Sequence, residues 1–136
     1  MELNELLDGL INKELADVSL YKGEAGLFAD KVVGGERIAE VFSRFAREEA
    51  EHAGALMAIA GRKSGSPART IAAGSSLRNS LEMHANRETT GITIYRRLAD
   101  MLSAPEHKLI VKGIIAQEIE HLRAAQHYLR ALNGGI

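Results

Sequence analysis

Two short stretches of this chain, Glu49-Ala-Glu-His52 and Glu118-Ile-Glu-His121, each place a carboxylate three residues before an imidazole. On an α-helix, positions i and i+3 lie about 60° apart around the axis, so each Glu and His can close on one metal ion from a single face. Two such pairs, joined by one inward Glu from each of two further helices, make up a dimetal site in a four-helix bundle. One such pair says little, because Glu and His are common on helices. Here the motif occurs twice, and both copies fall at inward-facing positions.

Four amphipathic segments are available to position these residues, each with apolar residues at spacings of three and four. The first spans roughly Leu3 to Asp30, with an inner stripe of Leu3, Leu7, Leu10, Glu14, Tyr21 and Phe28, and ends at Val33-Gly34-Gly35. The second spans roughly Glu36 to Ala60, with Ile38, Phe42, Phe45, Glu49, His52, Leu56 and Ile59 facing in, and ends at Gly61-Arg-Lys-Ser-Gly-Ser-Pro67. The third spans roughly Ser76 to Leu102, through Leu81, Glu88, Ile92, Tyr95 and Leu102. Ser103-Ala-Pro-Glu106 reads as a capping box with Pro in the first turn of the fourth. That helix runs to about Leu132 through Val111, Ile114, Glu118, His121, Ala125 and Tyr128, and stops at Asn133-Gly134-Gly135.

The links between segments constrain the topology. The first and third are short and join antiparallel neighbours. The middle link runs from Gly61 to Ser75. Fifteen residues reach about 50 Å when extended, whereas a 25-residue helix is about 37 Å long. The link can therefore climb the bundle and start helix three parallel to helix two. The expected fold is all-α, a four-helix bundle with one long crossover between helices two and three, forming a single domain over residues 1–136.

An ionised carboxylate inside an apolar stripe costs several kcal/mol unless it is paired or bound to a metal. Glu49 and His52 sit between Phe45 and Leu56, and Glu118 and His121 between Ile114 and Ala125. A buried polar network without metal is the competing reading. Depth selects the two single carboxylates, because residues at one level of a helical hairpin are equidistant from its turn. Glu14 and Glu49 are centred on the first turn, whereas Glu24 and Glu49 would be centred inside helix two. Glu88 and Glu118 are centred on residue 103, at the last turn. The candidate metal ligands are therefore Glu14, Glu49, His52, Glu88, Glu118 and His121. Glu51, Glu82 and Glu120 fall off the stripes and are expected in solvent, as are His107 and His127. His84, four residues before Glu88, is a candidate alternative ligand, a group behind the ligands, or a surface histidine.

Composition bounds the remaining possibilities. The chain has 136 residues, 46% hydrophobic but only 4% aromatic, which suits a helical core of Leu, Ile, Val and Ala. A net charge of −1 gives no electrostatic reason to expect nucleic acid or a membrane surface as partner. Without cysteine there is no disulfide, thiolate zinc site, dithiol or iron–sulfur cluster. The acidic start Met-Glu-Leu-Asn-Glu is unlike a signal peptide, and a cytoplasmic location is expected.

The stretch Ile11-Asn-Lys-Glu14-Leu-Ala-Asp-Val-Ser-Leu-Tyr21 resembles the first helix of ferritins. Arg47-Glu-Glu49-Ala-Glu-His52-Ala resembles the second-helix motif of ferritins, bacterioferritins and rubrerythrins. Asn86-Arg-Glu88 and Gln117-Glu118-Ile-Glu-His121 resemble the third and fourth helices of the latter two. The resemblance to the ferritin-like diiron-carboxylate superfamily covers nearly the whole chain. It implies a diiron centre with Glu49 and Glu118 bridging, Glu14 and Glu88 terminal, and one histidine on each metal. Ala50 stands where bacterioferritins place a haem-ligating Met, so no haem is expected. The chain has no Cys-rich rubredoxin-like segment and ends at Gly134-Gly-Ile without a fifth helix. A homodimer or small homo-oligomer is therefore expected rather than a closed shell, covering apolar positions such as Ile71, Leu77 and Ile136.

Oxygen-rich ligands with two nitrogens suit iron, with manganese the alternative. The expected function is a diiron oxidoreductase, either a ferroxidase oxidising Fe(II) with O₂ or a rubrerythrin-like peroxidase reducing peroxide. It would need an external electron donor and would serve iron handling or oxidative-stress defence. Alternatives are a non-catalytic iron-binding or storage protein and a helical interaction module with a vestigial site. Tyr21 and Tyr95, each seven residues from a ligand Glu, are candidate catalytic one-electron donors; core packing is their other role. Without metal the carboxylates should repel, so Glu49→Gln is expected to stabilise the metal-free protein.

Overall fold

The computed structural model describes residues 2–61 and 76–134. They form four helices, α1 (Leu3–Lys31), α2 (Glu36–Ile59), α3 (Leu77–Met101) and α4 (Pro105–Leu132), with no strand among the described residues. Helix ends lie within a residue or so of the sequence expectation. One start signal differs. The residue capping α4 is Ala104, with no side-chain bond, so Ser103 sits one position too early to close the expected box; Pro105 does occupy the first turn. Ser76 caps α3, its hydroxyl accepting from the Asn79 N–H at 3.1 Å.

Side-chain contacts fix the direction of each helix. Along α1 and α2, Phe28 stacks on Phe42 while Glu14 meets His52, so the two are antiparallel. Along α1 and α3, Glu24 meets His84 and Lys13 meets Glu88, again antiparallel. With both α2 and α3 opposed to α1, they are parallel to each other. Phe42 meets Tyr128 and His52 meets Gln117, so α4 opposes α2. This is the one-crossover, ferritin-like bundle. The expected path of the crossover along the outside falls on residues 62–75, outside the described residues, as do Ile71 and Ile136.

The core is divided. One apolar cluster gathers Leu7, Leu10, Ile11, Leu56, Tyr95, Leu98, Leu102, Val111 and Ile114. The other gathers Tyr21, Ala25, Phe28, Phe42, Phe45, Ala46, Leu77, Leu81 and Ala125. Leu77, expected to be exposed, is in fact 8% exposed and belongs to this second cluster. Exposed apolar side chains among the described residues include Val33, Leu109 and Ile110. No helix is long and apolar enough to cross a membrane among the described residues.

The first turn shows why glycine is required there. Gly34 has φ 72°, in the left-handed region. A Cβ on Gly35 would lie 1.9 Å from the Phe28 carbonyl oxygen. Gly35 leaves the space the reversal needs, and Gly34 supplies a backbone conformation that other residues rarely adopt. That tight reversal sets Glu14 and Glu49 at the same level.

Candidate metal centre

Between the two apolar clusters lies a layer of buried polar side chains. Glu14, Asp17, Glu24, Glu49, Glu88, Glu118, His84 and His121 are fully shielded from solvent, and His52 is 4% exposed. The structure brings all six sequence-selected positions to one level. Their donor atoms form two groups, each within 4.8 Å: Glu14, Glu49, His52 and Glu118, and Glu49, Glu88, Glu118 and His121. Glu49 and Glu118 belong to both groups, while the other residues divide between them.

The histidines define one side of the centre. His52 Nδ1 lies 2.9 Å from Glu14 Oε2, 2.8 Å from Glu118 Oε1 and 3.3 Å from Glu49 Oε1. His121 Nδ1 lies 3.1 Å from Glu49 Oε1 and 3.8 Å from Glu118 Oε2. The outer nitrogens are held elsewhere. His52 Nε2 donates to the Gln117 side-chain carbonyl, and His121 Nε2 donates to Glu48 Oε1 at 2.8 Å. Such outer partners orient an imidazole so that its inner nitrogen faces a metal. Both bonds run between α2 and α4, which stand apart at the backbone and are bridged by these long side chains.

Electrostatics separate the two central carboxylates. Burial alone would raise the pKa of Glu49, yet the nearby imidazoles of His121 and His52 and the charge of Lys13 hold it well below the usual range. Glu118 is pushed well above that range by burial and by the charges of Glu14 and Glu49. The two central carboxylates are thus pushed in opposite directions, as for like charges sharing a site. Glu88 is lowered to about 2; burial opposes this, but the Lys13 charge and further contacts prevail. Burial would lower the histidines, yet the carboxylates around them raise His52 to about 10 and raise His121 as well.

Several of these atoms are not satisfied by the protein. Both oxygens of Glu49, one each of Glu88 and Glu118, and His121 Nδ1 are buried without a hydrogen-bond partner. A buried acceptor left unpaired costs about 1–3 kcal/mol, and more when charged. Three carboxylates also crowd one His52 nitrogen, which carries a single N–H. These acceptors are spaced for a cation with several coordination positions. The donor set therefore fits two divalent ions of intermediate softness.

Lys13 and Arg87 join Asp17, Glu24 and His84 around the ligands. Lys13 Nζ lies 3.0 Å from Glu14, 2.8 Å from Asp17 and 3.3 Å from Glu88. Burial would lower its pKa, but Glu14, Glu88, Glu118 and Asp17 together hold it well above the usual lysine range. Asp17 also accepts from Arg87 Nε at 2.7 Å, and burial raises its pKa to about 6 despite Lys13. His84, left open by the sequence, is a buried group behind the ligands. Its Nδ1 donates to Glu24, and its Nε2 lies 3.6 Å from Glu88 Oε1. Asp17, three residues after Glu14 on one helix face, had a readable signal; Lys13 and Glu24 had none.

Tyr21 and Tyr95 are fully buried, with hydroxyls that lack a hydrogen-bond partner and pKa values raised by burial. The Tyr21 ring lies 3.6 Å from His84 and meets His121 edge-on at 5.5 Å. Tyr95 packs among leucines in the other cluster. Glu51, Glu82, Glu120 and His127 are exposed as expected, whereas His107 is half-buried.

The sequence model of the family described as Rubrerythrin matches residues 5–129. Among solved structures the chain is similar to bacterioferritin from Rhodobacter capsulatus, with a TM-score of 0.74 at 21% identity. The match covers 96% of this chain and 85% of that one, and that structure has a metal-free dinuclear site and a haem iron. A search of curated proteins finds no match.

Proposed function

The chain belongs to the rubrerythrin family, and from that premise we propose that its buried layer binds two iron ions and couples them to the reduction of O₂ or peroxide. The observation that carries this reading is the pair of overlapping ligand groups sharing Glu49 and Glu118. The family binds diiron sites and includes both ferroxidases and peroxidases.

In this reading Glu49 and Glu118 would serve both ions, with Glu14 and His52 holding one and Glu88 and His121 the other. When bound, two Fe(II) ions supply two electrons together, enough to reduce one peroxide and two protons to two waters. The protein's part is geometric and electrostatic. Gln117 and Glu48 fix the two imidazoles. The apolar clusters above and below exclude water. The four ligand carboxylates supply a charge of −4 to offset two divalent cations. With both histidines on the α2/α4 side, small molecules approach from the α1/α3 side. An open groove of about 660 Å³ lies there, lined by Gly9, Lys13, Asn86, Arg87 and Gly91 among others. Tyr21, with its ring 3.6 Å from that of His84 and edge-on to His121, is the first candidate one-electron donor, and Tyr95 is the second. Electrons for turnover come from an external donor. Manganese is the alternative metal, and no haem is proposed, because Ala50 offers no ligand.

Anaerobic titration with Fe(II) tests the proposal. The expected endpoint is two ions per chain, and exposure to O₂ or peroxide should then produce a ferric charge-transfer band. An endpoint of zero in the wild type, or one unchanged in Glu49→Ala and Glu118→Ala, overturns it.

A further inference from the structure

Lys13 is the unexpected member of the centre. Its ammonium lies within 4.0 Å of five carboxylates: Glu14, Asp17, Glu49, Glu88 and Glu118. Four of these belong to the proposed metal-binding set. An ammonium has three N–H donors, so five acceptors around it are more than it can serve. The side chain is 12% exposed and enters from the α1/α3 groove, opposite the histidines.

The opposite helix is shaped to admit it. Gly91 lies in the interior of α3, where glycine is unfavourable relative to alanine. A Cβ there would lie 2.5 Å from Lys13 Cε and 3.1 Å from Nζ. Glycine at this position leaves room for the lysine stem to pass between α1 and α3. Lys13 and Gly91 are therefore one device, built from two helices.

We propose that Lys13 is a tethered cation that occupies the ligand carboxylates when metal is absent and competes with metal for them. The inference rests on the dimetal reading above. A positive charge held in a desolvated site repels a second one placed a few ångström away. Binding therefore requires Lys13 to withdraw into the groove, and Lys13 returns as an ion departs. A centre that refills itself in this way releases its ions readily, so iron passes through it as a substrate and is not retained as a permanent cofactor. This favours ferroxidase chemistry over a peroxidase with resident iron.

The test uses Co(II), whose visible absorption reports binding without turnover, on the full chain and on Lys13→Met and Gly91→Ala. The expected result is at least tenfold tighter Co(II) binding in Lys13→Met, and slower loss of Co(II) to a chelator. Gly91→Ala should move in the same direction, because its methyl group pushes the lysine out. In metal-free protein both variants should unfold at lower temperature, Gly91→Ala doing so even though alanine favours helix. Co(II) binding that is unchanged or weaker in Lys13→Met, or in Gly91→Ala should Lys13→Met not fold, overturns the proposal and leaves the dimetal reading standing. Failure of all three proteins to bind Co(II) overturns the dimetal reading, and this inference with it. Binding by the variants alone supports the competition in its strongest form.

Discussion

Each residue of the polar layer has a separable expected phenotype. Glu118→Gln and Glu49→Gln should both abolish binding of two ions, while His52→Ala and His121→Ala should each lose one; metal analysis after desalting reads the count. The metal-free protein should distinguish the two glutamates. Burial and its acidic neighbours disfavour the charged form of Glu118, so replacing it with the neutral glutamine should be neutral or stabilising. Glu49 is held ionised by both histidines, so Glu49→Gln should destabilise. The sequence expectation placed the relief of repulsion at Glu49 instead, and urea midpoints of the two variants in chelator decide between the two. The pH dependence follows from the histidines. His52 and His84 are both raised to about 10. A raised folded-state pKa gives stability that is complete below about 6.5, the unfolded value, and is lost as pH rises towards about 10. Urea midpoints measured in chelator should therefore fall between pH 6.5 and 10. Uptake of metal must displace the proton that His52, raised to about 10, carries at neutral pH, so binding should release protons and tighten as pH rises.

Among the elements, the first turn and the middle of α2 give opposite expectations for the same substitution. Gly35→Ala forces a methyl into the Phe28 carbonyl and should cost about 2 kcal/mol or more. Gly54 lies on the exposed face of α2 with nothing within 4 Å of its Cβ position. Gly54→Ala should therefore stabilise by about 0.5–1 kcal/mol; thermal melts of the two variants make the comparison. The helices and their directions were legible in the sequence because apolar spacing, glycine breaks and the length of the middle link are properties of the chain itself. The level of Glu14 against Glu49, and of Glu88 against Glu118, followed from the turns. Lys13 was not legible. It is adjacent in sequence to a ligand but comes from the edge of the stripe, and a lysine there is ordinarily solvated. Only the absent side chain at Gly91, 78 positions later, shows where it goes. Glu24 was set aside by the depth rule as a ligand, and its bond to His84 depends on a contact that no local pattern announces.

At the scale of the whole molecule, two ions should stabilise the fold by mass action. Each site held at a hundred times its Kd adds about 2.7 kcal/mol. Calorimetry with and without chelator should show a higher melting temperature for the loaded protein, and a loss of that difference in Glu49→Gln. Assembly is a separate matter. Leu109 is 70% exposed and Ile110 41% exposed, side by side at the start of α4. We expect a dimer or small oligomer in solution, and light scattering that gives a large closed shell overturns this.

The apolar interior is two bodies of oil with a charged partition between them. Without metal, that partition is held together largely by Lys13, Arg87 and protonated histidines, so the bundle has a weak plane at its waist. Native-state hydrogen exchange on chelated protein should resolve two opening units, one around Leu10 and Leu98 and one around Phe28 and Phe42. Metal bound across all four helices should join them, so that amides from both ends exchange through one shared event. For this chain, bound ions would decide whether it unfolds in one step or two.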